Sequence, residues 1–152
     1  MTTAILGLGN MGAGLARRLA GTDLVLGARN PAAAAALGNE IGAPVVSYAE
    51  AIAKADVIVL ALHLPRAIEA IAGADLSGKV LVDISNPMTP DFNSLTIGFT
   101  TSAAEELQKA APGAQVVKAF NTIFSGVFVA PRTATVAVPV FIAGNDTSFA
   151  AV

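Results

Sequence analysis

Three glycines spaced G-x-G-x-x-G, at Gly7, Gly9 and Gly12, are the residues whose type and spacing point most directly to chemistry. They follow the apolar residues Ile5 and Leu6 and lead into Ala13-Gly14-Leu15-Ala16-Arg17-Arg18-Leu19-Ala20, so the segment reads as strand, tight turn, helix. In that setting Gly7 permits the sharp turn, Gly9 lets backbone approach a diphosphate, and Gly12 lets helix and strand come close. The free N–H groups and partial positive charge at the helix start make an anion site without any lysine or arginine. Gly7, Leu8, Gly9, Asn10, Met11 and Gly12 are therefore expected to cradle the pyrophosphate of a dinucleotide. The plainer alternative is a tight strand-to-helix turn.

A second strand, Asp23-Leu24-Val25-Leu26-Gly27-Ala28, ends about where a cofactor with a free 2'-hydroxyl is usually gripped by Asp or Glu. No acid stands there; the turn offers Ala28, Arg29 and Asn30. A guanidinium beside the adenosine ribose suits a 2'-phosphate. Such a charge-assisted hydrogen bond is worth roughly 1.5–3 kcal/mol, about ten- to a hundredfold in favour of NADP over NAD. The competing reading is a solvated surface arginine.

These residues need a scaffold, and the composition indicates which. Apolar residues make up 54% of the 152 positions and charged ones 13%, which suits strands buried on both faces of a parallel sheet flanked by helices. The length fits one domain. The apolar run Val57 to Leu62 is far below the roughly 20 residues that cross a bilayer, and the N-terminus lacks a basic leader, so no membrane partner or signal peptide is expected and the cytoplasm is the expected location. Without cysteine there is no disulfide framework or thiolate metal site, and no metal is assigned. A net charge of -2 with scattered basic residues argues against nucleic acid.

The remaining chain alternates strand and helix. Asn30 and Pro31 suit the cap and first position of an alanine-rich helix to about Ile41, stopped by Gly42. Pro44-Val45-Val46 forms a brief third strand, and Ser47 with Glu50 has capping-box spacing for a short helix through Lys54. Asp56 to Leu62 is a fourth strand, ending at His63 with Pro65 as the first residue of the next helix. Lys79 to Ile84 is a fifth, broken by Ser85-Asn86-Pro87-Met88; Asp83 within it needs buried hydrogen-bond partners. Thr89 to Thr101 reads as an irregular loop over the cofactor. Ser102 and Glu105 open another helix, to about Ala111. Ala114 to Phe120 is the sixth strand, closing on Asn121-Thr122. Phe124 to Val138 reads as a link, Pro139 to Ala143 as one more strand, and Asn145-Asp146-Thr147-Ser148 as the cap of a helix that the sequence barely enters, as expected of a fragment or a trimmed version of a longer protein.

Each strand turns polar at its carboxyl end, and in a doubly wound sheet those ends share one edge. Gly9, Arg29, His63, Asn86 and Asn121 are thus expected in a single crevice. His63 lines the nicotinamide side of that crevice, gives or takes a proton there, or is structural. No carboxylate or nucleophile neighbour for triad chemistry is legible, and no catalytic side chain is assigned.

Together, Ile5 to Gly12, Gly27-Ala28-Arg29-Asn30-Pro31, Val82-Asp83-Ile84-Ser85-Asn86-Pro87, Thr100 to Glu105 and Val117-Lys118-Ala119-Phe120-Asn121-Thr122 resemble the deazaflavin (coenzyme F420)-dependent NADP reductase family. The reductase domains of six-transmembrane metalloreductases are similar, including a histidine where His63 stands. The resemblance implies an α/β fold: a three-layer Rossmann domain spanning 1–152, without some C-terminal elements that help form the flavin pocket and the dimer in that family. It implies NADP(H) as cofactor, a deazaflavin or flavin as hydride acceptor, and a homodimer. Carried across, the nicotinamide edge comprises Leu62, His63, Asn86, Pro87, Asn121 and Thr122. Phe99 stands where many relatives are polar, at the expected mouth of the cleft. Two rival readings remain: a non-catalytic NADP(H)-binding sensor or regulatory module, and a fragment of a beta-hydroxyacid or pyrroline-carboxylate type dehydrogenase, whose large helical domain this chain lacks.

Overall fold

In the computed structural model, which describes residues 1–129 and 137–145, the apolar runs pair side by side as parallel strands. They are β1 (Thr3–Leu6), β2 (Leu24–Gly27), β3 (Val45–Val46), β4 (Val57–Leu60), β5 (Val80–Asp83) and β6 (Gln115–Ala119). A short strand, β7 (Ile142–Ala143), joins antiparallel to β6. The spatial order is β3-β2-β1-β4-β5-β6-β7, which makes β1 the point where the winding reverses. This is the doubly wound Rossmann arrangement, and such sheets bind ligands outside the carboxyl ends of strands at that reversal.

The helices are α1 (Asn10–Arg18), α2 (Pro31–Ile41), α3 (Tyr48–Lys54), α4 (Leu64–Ile71) and α5 (Ala103–Ala110), with a 3₁₀ turn at Ser125–Val129. Several boundaries follow from local chemistry. The Asn30 side chain accepts a hydrogen bond from the Ala33 amide and Pro31 starts α2; Gly42 ends it with φ 71° in the left-handed region. Ser47 and Glu50 form the reciprocal capping box of α3. Pro65 falls one place later than its sequence implies, because Leu64 is the first residue of α4 and His63 its cap.

Period-two alternation sends strand side chains into two apolar layers. On one face Ala4, Leu6, Val25, Ile58, Leu60 and Leu81 pack with Ala51 and Ile52 of α3, Ala67 and Ile71 of α4 and Leu107 of α5. On the other, Ile5, Leu26, Val59, Val82 and Val117 meet Leu15 and Ala16 of α1, with Leu37 of α2 and Phe128 of the 3₁₀ turn against them. Gly14 is what admits Phe128: a Cβ there would lie 2.6 Å from the phenylalanine Cβ.

Two strands are shorter than their apolar runs. β4 stops at Leu60 because Ala61 and Leu62 turn across the glycine loop toward α4, and only Ile142 and Ala143 of the expected last strand pair with β6. The expected cap at Asn145 to Ser148 falls largely outside the described residues, as does 130–136 of the link. Among the described residues no helix is long and apolar enough to cross a membrane.

One charged pair sits inside this framework. Asp83, 1% exposed, is in register with Lys118 of β6, whose Nζ lies 2.8 Å from Oδ2. A buried carboxylate stripped of its cation retains the cost of desolvation. Lys118→Met is therefore expected to lower unfolding free energy by about 3 kcal/mol, and Lys118→Met with Asp83→Leu to recover most of that loss. Urea denaturation followed by circular dichroism checks both.

Candidate functional site

The carboxyl ends of β1, β2, β4, β5 and β6 open on one cleft of about 1080 Å³, at the upper end of the range for small-molecule sites. Its floor is the β1–α1 turn. Gly7 has φ +91°, and a Cβ there would come within 2.5 Å of the Ala61 carbonyl and 2.6 Å of the Leu62 side chain. At Gly12 a Cβ would sit 1.9 Å from the Gly7 carbonyl oxygen, so α1 rests directly on the turn. Gly9 differs: a Cβ there would meet nothing within 4 Å, and the residue faces open space along the cleft.

Gly9 is also the cap of α1 and supplies no side-chain acceptor, and the first turn contains no acid. The leading amides of the helix therefore suit an external anion. The three glycines have the properties of a pyrophosphate cradle: one bends the chain, one seats the helix and one leaves room for the ligand.

Leu8, Asn10 and Met11 line the cleft with the glycines, as do Arg29, Leu62, His63, Asn86 and Asn121. The crevice expected from strand ends is thus formed. Arg29 is exposed beyond β2, and among the described residues no carboxylate pairs with it. Asn86 Nδ2 donates to the Asn121 carbonyl at 2.9 Å, tying the ends of β5 and β6 together. His63 is exposed and caps α4 through its carbonyl, which accepts from Ala67 N at 2.9 Å.

Four expected residues do not line this cleft. Ala28 is buried behind Arg29, and Asn30 spends its side chain on capping α2. Pro87 lines a second hollow of about 500 Å³ between the 87–98 loop, α5 and β7, and Thr122 points to neither. Phe99 is 88% exposed and stands away from the mouth it was expected to occupy. Phe92 is at the cleft instead, because its loop closes on itself and carries residue 92 outward.

That closure is local. Thr89 N donates to the Ser94 carbonyl, Thr96 N donates to the Pro87 carbonyl, and Met88 bridges Leu95. Asp91 organises the tip, accepting from Thr89 Oγ1, Asn93 N and Asn93 Nδ2. The Thr89 hydroxyl, followed by the Asn93 amide, holds the Asp91 carboxyl below its ordinary pKa. Phe92 then takes φ 58°, as does Phe120 after β6, and both line the cleft. Left-handed backbone at a bulky residue is uncommon and concentrates at ligand sites.

Sequence reasoning also missed Tyr48 and Ala49 from α3, Arg66, Glu69 and Ala70 from α4, and Ile84, Ser85, Ile123 and Ser125. Ser85 and Phe120 flank assigned strand ends and could have been found from that position; the α3 and α4 residues carry no local signal. Arg66 pairs with Glu69 at 2.8 Å.

Residues 2–87 match the model of the family described as NADP oxidoreductase, coenzyme F420-dependent. The chain belongs to this family. It is 38% identical over 122 residues to metalloreductase STEAP3 of Rattus norvegicus; these cover 78% of this chain and 24% of that protein, so the chain spans about a quarter of the curated relative's length. A candidate F420-dependent NADP-reductase of Arthrobacter sp. FB24 superposes with a TM-score of 0.85 at 33% identity, covering 99% of this chain and 76% of that one. A hypothetical protein of Sinorhizobium meliloti gives 0.86 at 30%, covering 97% and 75%. NADP(H) is the cofactor of this F420-dependent oxidoreductase family, and the glycine cradle with Arg29 beyond it, which no carboxylate pairs among the described residues, fits such a group.

Two outcomes follow from this geometry. Gly12→Ala should cost about 1–3 kcal/mol through overpacking, whereas Gly9→Ala should cost less than about 1 kcal/mol, through a poorer helix cap, and weaken NADPH binding by filling the cleft; urea denaturation and calorimetric titration separate the two. For Asp91 the lowered folded pKa means that its contribution to the turn is complete above the ordinary carboxylate value and is lost as pH falls through the folded one. The NMR shift of the Asn93 amide should hold steady from neutral pH to about pH 4 and move only below it.

Proposed function

We propose that the chain is an NADPH-dependent reductase that passes hydride to a deazaflavin or flavin, by positioning rather than by acid-base side chains. The observation that carries this reading is the layout of the larger of the two hollows described, with a glycine cradle in the middle, Arg29, which no carboxylate pairs among the described residues, at one end and the rings of Phe92 and Phe120 toward the other. When bound, NADPH supplies a hydride, which passes with a solvent proton to the acceptor ring.

The chain's own residues bind and orient. The amides leading α1 take the pyrophosphate charge, with Gly9 giving it room. Arg29 takes the 2'-phosphate as a planar, permanently charged fork. Leu62, His63, Asn86 and Asn121 form the wall at the ends of β4, β5 and β6, where the nicotinamide lies in this reading, and the Asn86–Asn121 hydrogen bond keeps that wall in one arrangement. Phe92 and Phe120 offer flat apolar surface to a second ring system. Holding donor and acceptor carbons roughly 3–3.5 Å apart is the catalytic contribution such a site makes. The names of the Arthrobacter and rat relatives, a reductase and a metalloreductase, support the same class of reaction. In this reading Pro87 and Thr122 follow Asn86 and Asn121 of the nicotinamide wall in the chain, as Ala28 and Asn30 flank Arg29.

The test is NADPH oxidation by the purified chain, followed by absorbance, with a deazaflavin, FMN and FAD offered in parallel and NADH as the control donor. Turnover with one acceptor and preference for NADPH are expected. Arg29→Ala should reduce NADPH affinity about ten- to a hundredfold while leaving NADH little changed. Binding of NADPH without reduction of any acceptor would favour a sensor or regulatory module instead.

A further inference from the structure

Ser85 Oγ is the one buried side-chain polar atom without a hydrogen-bond partner among the described residues. Its residue is 8% exposed and stands just beyond β5 in the wall of the cleft, while the hydroxyl itself is closed to solvent and must turn about χ1 to meet a ligand there. Buried hydroxyls are normally paired, so one left over beside a cleft calls for a partner, an ordered water or a bound ligand. Both main-chain groups of Ser85 are already held: Asp83 Oδ1 accepts from its amide at 2.9 Å, and Lys118 Nζ donates to its carbonyl. The same Lys118 Nζ bonds Asp83 Oδ2 at 2.8 Å. A single buried ion pair therefore fixes the serine backbone on both sides and leaves only the hydroxyl uncommitted.

We infer that the Ser85 hydroxyl hydrogen-bonds the carboxamide of the nicotinamide ring, with Asp83 and Lys118 as the positioning residues that hold it there. This rests on the NADP(H) reading of the cleft. With the 2'-phosphate at Arg29 beyond β2 and the pyrophosphate at Gly9 beyond β1, the far half of an extended dinucleotide crosses β4 and reaches β5. Strands lie about 4.8 Å apart, so β5 stands roughly 14 Å from β2 in the sheet order β2-β1-β4-β5. The group arriving there is the nicotinamide end, and its amide carries both a donor and an acceptor. A hydroxyl matches either. Asn86, the next residue, has one Nδ2 hydrogen held by the Asn121 carbonyl, whereas the Ser85 hydroxyl makes no hydrogen bond among the described residues.

The experiment is calorimetric titration of the wild-type chain and Ser85→Ala with NADPH and with 2'-phospho-ADP-ribose, which keeps every part of the cofactor except the nicotinamide ring. The substitution removes an unpaired hydroxyl and leaves the main-chain bonds of residue 85 in place, so folding should be unaffected. NADPH affinity is expected to fall about tenfold in Ser85→Ala, with 2'-phospho-ADP-ribose affinity unchanged. Unchanged NADPH affinity overturns the assignment, and so does an equal loss for both ligands, which would put the contact on the ribose or phosphates. A wild-type chain that binds neither ligand overturns the cofactor reading as well, whereas wild-type binding of both with no effect of Ser85→Ala overturns the serine assignment alone.

Discussion

The approach of α1 to the turn before it governs much of this molecule, since a Cβ at Gly12 would stand 1.9 Å from the Gly7 carbonyl oxygen. Closeness of that order seats the helix against the end of β1 and points its leading amides along the carboxyl edge of the sheet. Gly7 completes the constraint by turning at φ +91° beneath Leu62, which links the end of β1 to the end of β4. The point where the winding reverses is thus also the point where three chain segments are in contact. An anion placed there meets a helix terminus and no acidic side chain in the first turn.

The distal wall of the cleft is organised by a different kind of force. There the strands end in polar turns, and the buried Asp83–Lys118 pair clamps β5 to β6 while bonding both main-chain groups of Ser85. An ion pair is an expensive way to join two strands. What it provides beyond an apolar pair is direction, because a carboxylate and an ammonium can each hold a second partner, and here both of those partners belong to one residue in the wall. The Asn86–Asn121 bond continues the same arrangement one residue further out. Under the proposed function, in which the site holds two rings in register, walls that do not shift would bear directly on the rate.

The loop at 87–98 shows how a segment with few regular bonds can still present a defined surface. Its own carboxylate, Asp91, gathers three donors from Thr89 and Asn93, and the backbone bonds at Thr89 and Thr96 close the base. Phe92 is carried to the cleft with a left-handed backbone, opposite in chain position to Phe120, which has the same φ. Two bulky residues in that conformation on one cleft are a cost to folding, and such strain concentrates at ligand sites.

Sequence alone determined the features that depend on neighbours a few positions apart. The spacing of Gly7, Gly9 and Gly12, the caps at Asn30, Ser47 and Ser102, the apolar strands and the missing acid beside Arg29 are local, and each led to the element or strand end observed. The meeting of Gly9, Arg29, His63, Asn86 and Asn121 was also legible, because parallel strands in one sheet bring their carboxyl ends to a common edge. Tertiary structure alone decided the rest. Tyr48, Arg66 and Glu69 reach the cleft because α3 and α4 pack beside it, and nothing in their neighbouring residues announces that. Phe92 rather than Phe99 lies at the cleft because of how one loop bonds to itself. Ser85 has its main chain fixed from both sides only through register, since the pairing of Asp83 with Lys118 joins residues 35 positions apart and exists only once β5 and β6 lie side by side.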